Sequence, residues 1–164
     1  MKKTANSTPA SWKSGSLSYG SGLTLDIAKK MLKAAEREAE KQGVPMSMAI
    51  SDAAGNLVAF SRMDNAVLFS IQIAMDKAFT AVSGKMPTGS FGNFYRTGEL
   101  VPLFFHERWI TFTGGFPVIK DGMIVGGIGV SGGTIEDVYV AKAALQAGGF
   151  ILDEVDAAIT ALDR

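Results

Sequence analysis

The stretch Gly114–Asp137, GGFPVIKDGMIVGGIGVSGGTIED, decides the fold. Phe116 to Lys120 and Met123 to Ser131 are β-rich runs separated by Asp121-Gly122, the two-residue signature of a tight hairpin. Gly132-Gly133 supply a hinge, and Thr134 with Asp137 resembles a capping box that opens a helix through Ala147. The same stretch holds Gly127-x-Gly129-x-x-Gly132 just before that helix, the spacing of a dinucleotide-binding turn. That reading fails on two counts. The fingerprint needs a later strand carrying an acidic residue, and here the chain runs through helical sequence to its end. Glu136 and Asp137 in the first turn suit the helix dipole but repel a pyrophosphate. The glycines are expected instead to let a strand pack closely and then turn sharply.

Upstream, Trp109 to Thr113 reads as a further strand. It follows a stretch from Gly84 to Arg108 where periodicity fades and Gly, Pro and aromatic residues accumulate, a loop long enough to be functional. Before it, Ile71, Ala74, Met75, Ala78, Phe79 and Val82 mark a helix from about Phe69 to Ser83, whose alanines let its backbone lie close to a sheet. Met46, Met48 and Ile50 alternate with small residues as a strand. The Asp52–Asn56 turn leads to its partner, Leu57 to Arg62. Thr24 caps a first amphipathic helix with the stripe Leu25, Ala28, Met31, Leu32, Ala35 and Ala39, stopped by Gly43 and Pro45. Downstream of Gly148-Gly149, the stripe Ile151, Leu152, Val155, Ala158, Ile159 and Leu162 predicts a short final helix. Five strands joined mainly by hairpins imply an α/β (α+β) domain with a largely antiparallel sheet covered by helices.

Whole-chain properties narrow the function classes. The 164 residues suffice for one domain with a substantial core. Residues 1–22 are expected to be a flexible polar tail and 23–164 a single domain. Sixteen basic residues balance sixteen acidic ones, which leaves no electrostatic footprint for nucleic acid or an anionic membrane. Cysteine is absent, so disulfides, thiolate metal sites and a cysteine nucleophile are excluded. Lys2 and Lys3 are not followed by an apolar run, and no segment reaches transmembrane length, so a cytoplasmic protein is expected.

The motifs carry a resemblance. The run GG-P, then DG, then VGGIGVSGGT-ED is similar to the signature of the GlcG/HbpS-like heme-binding family, related to the C-terminal domain of PduO-type cobalamin adenosyltransferases. A second block agrees. Asp52-Ala53-Ala54-Gly55-Asn56-Leu57-Val58, Arg62-Met63-Asp64 and Lys77-Ala78-Phe79-Thr80-Ala81 match the family's D-x-x-G-x-L-V, R-x-D and K-A-x-T-A pattern in order. The resemblance spans about residues 23–148. It implies a profilin-like three-layer α/β/α arrangement, heme or another small ligand as cofactor, and relatives tied to heme binding or degradation, glycolate use, and diol or cobalamin metabolism.

His106 is the only histidine. It follows Phe104-Phe105 at the end of the aromatic loop, and a neutral imidazole in an aromatic setting is a common axial donor to heme iron. It is therefore the candidate metal ligand, against the plainer reading of an ordinary loop histidine. Arg62 and Lys77 are candidates for holding carboxylates, such as heme propionates or a small organic acid. Gly114 and Gly115 permit close backbone approach of a ligand, with Phe116 and Ser131 beside them. No G-x-S-x-G elbow supports Ser131 as a nucleophile. Three classes stay open: a heme-binding homo-oligomer, an enzyme or enzyme-maintenance factor acting on a small carboxylate or carbonyl compound, and a structural oligomer that scaffolds other proteins.

Overall fold

The computed structural model describes residues 18–92, 106–153 and 156–157. Strand β1 is Ser18–Tyr19, followed by helix α1, Leu25–Gln42. Thr24 Oγ1 accepts from Ile27 N–H at 3.3 Å to start α1, and Gly43 ends it in the left-handed conformation. Strands β2 (Ser47–Asp52) and β3 (Leu57–Arg62) form the first hairpin, and helix α2 spans Ser70–Gly84. A short 3₁₀ turn at Thr88–Ser90 precedes β4 (Gly115–Lys120), β5 (Met123–Ser131) and helix α3 (Ile135–Gly148). Asp121 and Gly122 both have positive φ, 52° and 72°, as the tight β4–β5 turn requires.

The sheet is antiparallel in the order β4-β5-β2-β3, with β1 alongside β5 in parallel. Helices α1 and α3 cover one face. Met31, Met46, Met48, Ile50, Phe116, Ile128, Val130, Val138 and Leu145 fill the space between them and the sheet. Helix α2 covers the other face, where Ala74 and Ala78 meet Ala49. The expected three-layer α/β/α architecture is therefore present.

Strand β5 shows why its glycines are there. Residues 128 and 130 point into the large core, while 127 and 129 point at α2. A Cβ on Gly129 would sit 2.0 Å from Ala74 O, and one on Gly127 2.6 Å from Ala78 O. The glycine run is thus the bed on which α2 lies, as expected in place of a phosphate loop.

Three expectations need correction. Trp109 to Thr113 is not a strand. Its backbone is taken up by threonine hydroxyls instead: Thr80 Oγ1 accepts from Ile110 N–H at 3.1 Å, and Thr88 Oγ1 donates to Phe112 O at 2.6 Å. The fifth strand is β1, inside the stretch read as a polar tail, where Ser18 and Tyr19 pair with Met123 and Ile124. The capping box is also altered. Thr134 makes no side-chain cap, while Asp137 Oδ1 accepts from Gly133 N–H at 2.8 Å and Glu136 accepts from Thr134 N–H. Most of the expected final helix lies outside the described residues. Among them, no helix is long and apolar enough to cross a membrane.

Candidate functional site

One face of α2 carries Gln72, Asp76, Phe79 and Ser83, spaced i, i+4, i+7, i+11, and the segment His106–Ile110 lies across it. Thr80 Oγ1 pins that segment by donating to Arg108 O at 3.0 Å. Asp76 pins it a second time: its carboxylate accepts from Arg108 Nε at 3.1 Å and from Gln72 Nε2 at 3.0 Å. The Arg108 guanidinium carbon stands 3.9 Å from the centre of the Phe79 ring, a cation–π contact. The His106 imidazole stacks on the same ring with centroids 6.1 Å apart and planes 11° from parallel. His106 is exposed, and its Nδ1 accepts from Arg108 N–H at 3.2 Å. In the neutral ring that bond puts the proton on Nε2.

Phe79 also forms one wall of a shallow, mostly apolar groove of about 500 Å³, lined by Ala53, Ala54, Gly55, Phe79, Val82 and Ser83. Asp52 shapes its opposite wall. Its carboxylate accepts from Ala54 N–H and Asn56 N–H, each at 2.9 Å, and from Asn56 Nδ2 at 3.1 Å. Burial works to raise the Asp52 carboxyl, but these hydrogen bonds outweigh it and hold the group below its ordinary value. Gly55 is required here, since a Cβ would meet the Phe79 ring at 2.8 Å. Sequence reasoning missed Asp76, Phe79 and Arg108 as site residues. The i, i+4, i+7 spacing of polar and aromatic residues on α2 was the available signal.

Lys77 takes a different course. Its side chain turns from α2 past the end of β5, where the ammonium donates to Val130 O at 2.7 Å and to Asp137 Oδ2 at 2.8 Å. Both side chains are almost wholly buried. Burial pushes Lys77 below its ordinary value and raises Asp137 above its own, so each disfavours its charged form while the partner favours it. Gly114 makes room for the pair. Its φ is 109°, and a Cβ would lie 2.8 Å from both Asp137 Cβ and Val130 O.

The remaining expected positions divide by place. Arg62 is exposed at the far end of β3 from the Ala53–Gly55 turn, about 17 Å away at the rise of a strand. It donates to Ala66 O at 3.2 Å and shares no partner with Lys77. The Lys77 ammonium is buried and neutralised by Asp137, while Arg62 bonds only a backbone carbonyl. Phe116 is wholly buried in the core and lines no surface. Gly115 is packed against Thr88 and Lys77 O, and Ser131 is buried at the end of β5. Phe104 and Phe105 lie outside the described residues. Among the described residues, no three His, Cys, Asp or Glu side chains cluster as a metal site.

Similarity to known proteins agrees with this arrangement. The family model described as haem-degrading protein, HbpS-like, matches residues 23–146. A 15.0 kDa protein in the dhaT-dhaS intergenic region of Citrobacter freundii is 37% identical over 127 residues, covering 75% of this chain and 89% of that one. The crystal structure of a PduOC:heme complex matches with a TM-score of 0.76 at 31% identity, covering 79% of this chain and 97% of the other. The crystal structure of HbpS matches with a TM-score of 0.68 at 34% identity, covering 84% and 95%. Sequence, motif order and fold converge, and the chain belongs to the haem-degrading HbpS-like family.

Proposed function

We propose that this chain binds heme, with His106 as axial donor and the Gly55–Phe79 groove as the apolar surface beside it. The observation that carries the reading is the exposed imidazole parallel to Phe79, with centroids 6.1 Å apart, beside a ring that itself lines the groove. A flat macrocycle with a central iron needs such a donor and such a surface. Arg108 is the cation beside the imidazole, its Nε held by Asp76 and its side chain still about one-third exposed, and is the residue this reading assigns to a propionate. Bound heme supplies a redox-active iron; the chain's own residues supply the donor, the apolar wall and the charge.

The hydrogen bond at Nδ1 adds a condition. For Nε2 to serve as donor, the ring proton must move to Nδ1, and the bond from Arg108 N–H is given up at a net cost of about 1 kcal/mol. The alternative of a small-carboxylate enzyme rested on Arg62 and Lys77 acting together, and Lys77 is committed to Asp137. Heme is the reading this site supports best.

Hemin added to the purified protein is expected to give a saturable Soret band. His106→Ala is expected to change the spin state and weaken binding at least tenfold. An identical spectrum and affinity in the variant would remove His106 from the site, and a flat titration of the wild type would end the heme reading.

A further inference from the structure

The Arg108 side chain is held more firmly than its backbone requires. Thr80 Oγ1 already fixes that backbone, donating to Arg108 O at 3.0 Å and accepting from Ile110 N–H at 3.1 Å. The salt bridge from Arg108 Nε to Asp76 Oδ1 therefore acts on the guanidinium rather than on the chain. Asp76 is itself fixed. It is buried on α2, and Gln72 Nε2 donates to both of its oxygens at 3.0 Å. Phe79 sets the tilt, with its ring centre 3.9 Å from the guanidinium carbon.

One edge and one face of the guanidinium are thus engaged. The group carries five N–H donors in a planar fork, and Nε holds only one of them. Among the described residues, the hydrogen bonds of this side chain run through Nε alone. The donors of both terminal nitrogens are left for another acceptor, and a carboxylate fits such a fork with two parallel bonds. His106 and Arg108 share the Phe79 ring, so the fork and the imidazole donor belong to one surface.

We propose, resting on the heme reading, that Gln72 and Asp76 are positioning residues that aim Arg108 at a ligand carboxylate. The site then selects a ring ligand with free carboxylates over its neutral ester. Asp76 has two opposed effects on such a ligand. Its charge repels an incoming carboxylate, while its grip removes in advance the rotamer freedom that Arg108 would lose on binding. The repulsion acts across the width of the guanidinium and is screened at a side chain 36% exposed. The ordering of a long, flexible side chain has no such screening, so positioning outweighs repulsion.

The test compares hemin with its dimethyl ester, each titrated by its Soret band in the same mixed solvent. The wild type is expected to bind hemin at least about tenfold more tightly, the scale of one hydrogen bond to a charged group. Arg108→Gln should abolish that preference. Asp76→Leu should cut it about fivefold or more and leave ester affinity unchanged, because it frees the guanidinium without touching the apolar surface. Asp76→Asn keeps an acceptor for Nε and should retain more of the preference than Asp76→Leu. Ile110 N–H should stay protected from hydrogen exchange in both variants, since Thr80 still holds it. A wild type that binds hemin and ester alike overturns this proposal and leaves the heme reading standing; one that binds neither ends both. The proposal also falls if Asp76→Leu tightens hemin binding, as loss of a mere countercharge would. It falls equally if that variant weakens both ligands alike, as loss of a purely structural pin would.

Discussion

At the scale of single residues, the Lys77–Asp137 pair is the feature whose parts were visible but whose union was not. The K-A-x-T-A motif singled out Lys77, and Asp137 was assigned to helix capping. The cap role holds in altered form through Gly133 N–H. Sixty positions separate the partners, and no local periodicity connects two residues that meet only after α2 and α3 have packed on the sheet. The pair also sets a pH signature. Asp137 is raised above 3.8 by burial, so its contribution to stability is full below 3.8 and is lost as pH rises through its folded value. Lys77 is lowered below 10.5 by burial, so its contribution is present above 10.5 and is lost as pH falls through its folded value. Between the two folded values neither contribution remains. Urea midpoints of the wild type, minus those of Lys77→Met/Asp137→Leu, should fall from both the acid and the alkaline limit to a trough between them. Lys77→Met alone should cost about 3–5 kcal/mol, since it strands a buried carboxylate. A difference curve that peaks between the acid and alkaline limits would contradict this.

At the scale of elements, the hairpins and the three helices were legible because each carries its own period and its own stop. Leu25 to Ala39 repeats at helical spacing and ends at Gly43; Met46, Met48 and Ile50 alternate and end at the Asp52 turn. Trp109 to Thr113 misled because aromatic and β-branched residues favour an extended backbone without saying what accepts its hydrogen bonds. Thr80 and Thr88 provide the partners, and a hydroxyl on a distant helix leaves no mark on the segment it holds. Thr88 Oγ1 also accepts from Gly115 N–H at 3.0 Å, at the first residue of β4. Thr88→Val keeps the shape and removes these bonds, which should cost about 1–3 kcal/mol through the unmet N–H and carbonyl. Hydrogen exchange should show Gly115 N–H losing protection while the β2–β3 ladder keeps its own. Equal loss in both places would mean global unfolding and reject a local anchor.

At the scale of the whole molecule, a largely antiparallel sheet with helical cover was legible from the hairpins, while the three-layer arrangement was legible through the family resemblance. The candidate site was legible only in part. His106 stood out as the only imidazole, but the ring beside it and the neighbouring arginine belong to an arrangement made where His106–Ile110 lies across α2. Lys77 and Asp137 come from helices on opposite faces of the sheet, joined around the end of β5 at Val130. Such a contact can close only after both helical layers have docked, so it is absent from the early folding nucleus. Its loss should therefore leave the refolding rate of Asp137→Asn within about twofold of the wild type and appear as faster unfolding. Stopped-flow chevrons would measure both arms, and a slowed folding arm would place the contact in the nucleus instead. The pair then acts as a latch on the native state, setting how long a folded molecule lasts rather than how quickly it forms.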